Sequence, residues 1–407
     1  MTDARSGGLT GEPIPLDAVE LVRVRLPLRR ALRSAHGVEE VREVVLVHMI
    51  AADGVEGWGE CSALESPTYT AEFTDGAWAI LRDVLVPSVF GRGGPGGIVV
   101  GHPFASAALA DAELDVRLRR SGRSLAGSFG ADPAAGLAWT AVLGIDEARA
   151  VDQRADEARA AGATGLKLKV RPAGGRDGRA RPGGLRAGLP VALDANGSFR
   201  GNEPELIDLA EQLAALGIDP GERRVYIEQP LPADDLVGTA DLAAKLAVPV
   251  ALDESVTRSG DVATAWALGA AALVNVKPAR AGGVIAALGF LDPRATPVRV
   301  RAGDGPAPTR YPDPDIALHP WVGPAAFLGG MVETGIGRAT ALAVGAVLRL
   351  DHTDLGPSSW YFDDDITEPI ELGADGLMHA PTGPGIGVVP RPERLAEVTV
   401  DRCTIRS

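Results

Sequence analysis

Three carboxylates, Asp194, Glu228 and Asp253, each close a short strand-like run, and lysines stand on either side of them. Lys167 and Lys169 lie in TGLKLKV, the acids in PVALDANGSF, RVYIEQPL and PVALDES, and Lys277 in LVNVKPARAGG. The charged positions follow one another at steps of about 24 to 34 residues, a length that accommodates one strand, one helix and two loops. Regular βα units with a charged residue at each strand's C-terminal end describe a (β/α)-barrel, whose chemistry sits on that face. Three converging carboxylates suit a hard divalent cation. Lysines around such a cation suit proton transfer next to a carboxylate. Side chains alternate along a strand, so Lys167 and Lys169 share one face. Their neighbours Leu166, Leu168 and Val170 mark a buried parallel strand, where a lysine needs a purpose.

The elements that must position these residues are readable on both sides. Residues 18 to about 62 read as strands, AVELVRVRLPL, REVVLVHMIAADG and VEGWGECSA, with Asp53–Gly54 as a turn. Residues 71–92 and 103–120 have helical apolar spacing. AWTAVLGI (138–145) reads as the first buried strand of a second domain, followed by an Ala-rich amphipathic helix with Asp146 as its expected N-cap. Strands then alternate with helices, which argues for a parallel sheet covered on both faces.

Bulk properties narrow the function class. A chain of 407 residues that is 45% hydrophobic suits two domains with full cores. A formal charge of −14 argues against nucleic acid as a partner. Cys61 and Cys403 are the two cysteines and lie far apart, so neither a disulfide framework nor a zinc or iron–sulfur site is expected. No apolar run is long enough to span a membrane, the first residues carry no apolar signal segment, and the compartment expected is the cytoplasm. His36, His319 and His379 have no ligand-like spacing and read as structural or surface residues; Cys61 reads as a small apolar packing residue.

Taken as an ordered set, KxK, LDANGS, IEQPL, LDES, KPARAGG and GGMVETGIG resemble the enolase superfamily, from about Val22 to Val388. Within it the chain is most similar to the o-succinylbenzoate synthases and the neighbouring N-succinylamino acid racemases. MVETG stands where dipeptide epimerases carry an Asp-x-Asp pair. The resemblance implies an α/β fold, an enolase-type modified TIM barrel with an N-terminal α+β capping domain. The organisation expected is a loose tail at 1–17, the capping domain at 18–135, and the barrel at 136–355 with an atypical insertion at about 299–328. A C-terminal segment at 356–407 would complete the barrel and pack on the cap.

The resemblance further implies that Asp194, Glu228 and Asp253 bind Mg²⁺, with Mn²⁺ acceptable to the same oxygen donors. Lys169 would be the general base, and Lys277 a second acid/base in a racemase or a fixed cation in a synthase. Lys167, Asn196 and Glu254 would support them. Ser34, Tyr69, Gly330, Met331 and Glu333 are candidate substrate contacts. The activity expected is a hydro-lyase reaction, the Mg²⁺-dependent syn-dehydration of a cyclohexadiene hydroxy acid to 2-succinylbenzoate in menaquinone biosynthesis. Racemisation of N-succinylamino acids uses the same set and is the alternative. A metal-binding barrel without activity is the second alternative, because about 30 polar, Pro-rich residues intrude between Pro297 and Gly329. The partner implied is a small-molecule carboxylate, with neither nucleic acid nor membrane; a homo-oligomer is allowed for, although no interface stripe marks one.

Overall fold

The computed structural model describes residues 13–92, 99–132, 134–172, 188–216, 224–291 and 325–406. The chain begins with three antiparallel strands, β1 (Leu16–Ser34), β2 (Gly37–Ala51) and β3 (Glu56–Cys61). The helix Pro103–Arg120 lies on this sheet. Its close approach requires glycine at two positions of β3: a Cβ at Gly57 would meet the backbone of Ala112 and Val116, and one at Gly59 the carbonyl of Ala108. Val19, Leu21, Val45, Val47, Leu81 and Phe104 form part of the core of this cap.

Eight parallel strands follow: β4 (Gly136–Leu143), β5 (Gly165–Lys169), β6 (Val191–Asp194), β7 (Ile227–Glu228), β8 (Val250–Leu252), β9 (Leu273–Val276), β10 (Ala325–Leu328) and β11 (His352–Thr353). Each pairs with the next, and β11 pairs back onto β4, so the barrel is closed. β12 (Leu377–His379) adds antiparallel to β4 outside the ring, and β13 (Thr399–Arg406) returns to the cap, where the strand order is β13-β1-β2-β3.

Local chemistry explains the helices behind the strands. Helix Glu203–Ala214 opens with proline in its first turn and with Glu203 and Glu205 at its positive end. Asp235 caps Leu236–Ala243 by accepting from Gly238 N, and Thr334 caps Gly335–Leu348 by accepting from Ile336 N. The helix after β4 differs from expectation by one residue. It spans Ala148–Ala160 with Glu147 at the N-cap, and Asp146 instead accepts from Glu147 N.

The seventh barrel strand is the short apolar run AAFL, directly before Gly329-Gly330-Met331, and it keeps the parallel register on both sides. The ring of described strands therefore closes with AAFL as its seventh member. Residues 1–12 of the expected tail, 299–324 of the expected insertion, and His319 lie outside the described residues. Among the described residues, no helix is long and apolar enough to cross a membrane.

Candidate active site

The register of the barrel brings the charged residues to one rim. Lys169 is level with Asp194, and Asp194 with Glu228. Asp253 follows β8 directly, and Lys277 follows β9 as the N-cap of helix Pro278–Ala281. β5 and β9 stand four places apart in a ring of eight, so Lys169 and Lys277 face each other across the barrel, with the three acids on the arc between them. Lys167, Asp194, Glu228, Asp253 and Lys277 are all buried.

Each acid is matched to a cation. Lys169 Nζ donates to Asp194 Oδ2 at 2.6 Å, and Lys277 Nζ to Asp253 Oδ2 at 2.9 Å. Lys167 Nζ donates to Glu228 Oε2 at 2.8 Å and to Asp354, and stands 3.9 Å from Asp194 Oδ2. Arg280 pairs with Asp253 and donates to Tyr69 Oη. Asn275 Nδ2 holds Glu228 Oε1 at 2.9 Å, and Gly329 leaves room for that amide, since a Cβ there would collide with it.

The electrostatics separate the three acids. Burial opposes the anion at Asp194, but Lys169 and Lys167 outweigh it and hold the carboxyl below its ordinary range. At Asp253 burial is likewise outweighed, by Arg280, Lys277 and Lys167, and the carboxyl lies far below the ordinary range. At Glu228 burial, reinforced by Asp194, Asp253 and Asp354 and only partly offset by Lys167, pushes the carboxyl up to about 8. Burial alone would lower Lys167; Asp354, Glu228 and Asp194 outweigh it and keep this ammonium well above its ordinary value.

Three non-glycine residues with positive φ adjoin these positions: Asn196 (44°), Gln229 (40°) and Val332 (56°). A β-branched residue there is strained, and strain of this kind gathers at functional rims. Gln229 turns its side chain back so that Oε1 accepts from Asp253 N at 3.0 Å and Ser255 N at 3.2 Å, fixing the loop after β8. Asn196 Nδ2 donates to Glu254 Oε1 at 3.0 Å.

A cavity of about 60 Å³ opens over this rim, lined by Lys167, Lys169, Lys277, Glu333, Asp354 and Tyr361, with Gly330, Val332 and Leu355 from the barrel loops and Leu32 from the cap. Of the candidate substrate contacts, Gly330 and Glu333 line the cavity, and Glu333 Oε2 is buried without a partner. Tyr69 reaches Asp253 and Lys277 from the cap. Ser34 accepts from His36 N in the β1–β2 turn, and Met331 packs in the cap's apolar cluster. Cys61 packs in the same cluster. His36, which sequence alone assigned to structure or surface, stands beside the site with Nε2 3.1 Å from Glu254 Oε1.

Sequence reasoning also passed over Arg280, Asn275, Asp354 and Tyr361. Arg280 carried a signal, being a charged residue inside KPARAGG, and Asp354 another, being an acid directly after a strand. Asn275 sits mid-strand and Tyr361 in a late helix, and neither position advertises a role.

The residues fit a divalent cation by donor chemistry: three buried carboxylates on neighbouring strand ends, all oxygen donors. Among the described residues no three acids are gathered on one point, because lysine and arginine tips lie between them. Those tips end rotatable stems, while the acids are set by the strands.

A family profile described as Enolase C-terminal domain-like matches residues 150–292. An N-succinylamino acid racemase from Amycolatopsis sp is 34% identical over 96% of this chain and 100% of its own. The chain belongs to the enolase superfamily. An o-succinylbenzoate synthase from Geobacillus stearothermophilus is 29% identical over 92% of this chain and 93% of its own. The crystal structure of an N-succinyl Arg/Lys racemase from Bacillus cereus shares the fold, with a TM-score of 0.78 over 97% of this chain and 100% of that one, at 21% identity. This enolase-superfamily chain thus has relatives that carry the names of two activities.

Proposed function

We propose that the protein removes the proton α to the carboxylate of an N-succinylamino acid and returns one from the opposite face, as a racemase. The observation that carries this reading is the pair Lys169 and Lys277, placed across one cavity with three acids between them. A planar carbanion centre held between two lysines is reached from both faces, which racemisation requires. Similarity to the Amycolatopsis racemase over nearly the whole chain supports the choice.

Enolase-superfamily enzymes are in general Mg²⁺-dependent, and Asp194, Glu228 and Asp253 would hold the ion here. When bound, Mg²⁺ supplies the Lewis acidity that makes a proton next to a carboxylate removable. Lys169 takes the proton at Nζ on its face, and Lys277 delivers one at Nζ on the other. Lys167 remains a cation, held by Asp354 and Glu228, and keeps the rim's charge balanced while Lys169 works. Leu32, Val332 and Leu355 exclude water around the reacting centre.

A second reading is the syn-dehydration that forms 2-succinylbenzoate. It is supported by the synthase relatives and by Lys277 itself, whose bonds to Asp253 and Tyr69 suit a fixed cation. The test is to incubate each enantiomer of an N-succinylamino acid with Mg²⁺ and follow optical rotation. In parallel, the cyclohexadiene hydroxy acid is assayed for an aromatic product. Loss of rotation that stops with chelator supports the racemase; aromatic product with no loss of rotation would replace it with the synthase.

A further inference from the structure

The two lysines are held differently. Lys169 is bonded within the barrel, to Asp194. Lys277 is also held from the cap: its Nζ donates to Tyr69 Oη at 3.0 Å and stands 4.7 Å from the centre of the Tyr69 ring. Tyr69 Oη donates in turn to Asp253 Oδ2 at 3.0 Å, the oxygen that also receives Lys277.

The loop that carries Tyr69 is fixed at both ends. Arg42 donates to the carbonyls of Ser62 and Ala63 at its start. At its end Glu72 accepts from Phe104 N and Ala105 N, both at 2.8 Å, at the start of helix Pro103–Arg120. His36 packs edge-on against the Tyr69 ring, with centroids 5.6 Å apart, while its Nε2 meets Glu254.

We infer that Tyr69 is a positioning residue for Lys277 and not for Lys169, so that the cap controls proton transfer on one face of the substrate only. The inference rests on the reading of Lys169 and Lys277 as the two acid/base groups. A hydrogen bond and a ring face together restrict where an ammonium on a four-carbon stem can sit. Without the phenol oxygen, Lys277 keeps Asp253 as partner but loses the contact that fixes its distance from the cap. Lys169 loses nothing.

The experiment follows α-deuterium incorporation into each enantiomer of an N-succinylamino acid in D₂O with Mg²⁺. Lys277→Ala identifies the enantiomer whose exchange depends on Lys277. Tyr69→Phe keeps the ring but removes the oxygen that also meets Asp253 and Arg280; through the lost hydrogen bond to Lys277 it is expected to slow exchange of that enantiomer about tenfold. Its effect on the other enantiomer is expected to be several-fold smaller. His36→Ala, which removes the edge packing behind the ring, is expected to shift the ratio in the same direction by a smaller factor. Equal slowing of both enantiomers by Tyr69→Phe would overturn the inference, since a change at Asp253 or a general loosening strikes both faces alike. If wild type exchanges neither enantiomer, the acid/base reading fails, and this inference with it. Circular dichroism of each variant shows that the fold compared is the same.

Discussion

At the residue scale, the site is a balance of buried charges in which the lysines are not equivalent. Lys169 is partly open to the cavity, whereas Lys167 is clamped by Glu228 and Asp354 with almost no exposure. Lys169→Ala should lower turnover by about 10²–10⁴-fold with the fold intact, as for loss of a general base. An activity within a few-fold of wild type would remove Lys169 from that role. Lys167→Met should act on stability: it takes from Glu228 and Asp354 the buried cation they share, and breaking a buried pair costs about 3–5 kcal/mol. A urea midpoint unchanged by the substitution would contradict this. The charged set was legible in sequence because strand ends display it at regular steps. The partners of Arg280, His36 and Asn275 were not, because they come from contacts made by folding, between a helix turn and a strand end, a cap turn and a barrel loop, and two strands separated by one other.

At the element scale, the seam between β3 and helix Gly335–Leu348 depends on a single carboxyl. Glu60 accepts from Thr334 Oγ1 at 2.5 Å, Thr334 N at 3.2 Å and Gly337 N at 3.0 Å, so a cap residue holds the start of the helix behind the loop that bears Val332 and Glu333. Burial, with Glu333 nearby, pushes Glu60 up to about 7 despite those hydrogen bonds. The folded value lies above the ordinary 4.5, so protonation favours the fold. This contribution is complete below pH 4.5 and is lost as pH rises through about 7. Urea midpoints measured from pH 4.5 to 8 should fall less steeply for Glu60→Gln than for wild type, and parallel slopes would contradict the assignment. Strand–helix alternation made the barrel readable. The seventh strand was harder, because AAFL offers only four residues and follows a long Pro- and Gly-rich stretch.

At the scale of the whole molecule, cap and barrel are tied by long-range contacts that no local pattern displays. Asp115, fully buried in the cap helix, accepts from Trp58 N at 2.9 Å, Arg119 Nε at 2.8 Å and Ile386 N at 2.7 Å. It thereby joins β3, the helix and the Gly-rich C-terminal strap, which pairs with Arg123 and Leu125 through Gly385. Asp115→Asn keeps the shape but weakens the acceptor for buried donors, and should cost about 1–3 kcal/mol of stability. Faster proteolytic cutting near Gly385 should accompany the loss, and a variant as resistant as wild type would show that the strap is held by other contacts. Pairing of β13 with β1 adds a second tie, so the chain's last strand finishes the sheet that its first strand began.

The most direct test of the central claim is deuterium incorporation at the α-carbon of both enantiomers of an N-succinylamino acid, measured on wild type with Mg²⁺ in D₂O. Incorporation into both, abolished for one enantiomer by Lys169→Ala, is the result expected of two lysines facing across one cavity. Folded wild-type protein that leaves both enantiomers undeuterated would contradict it.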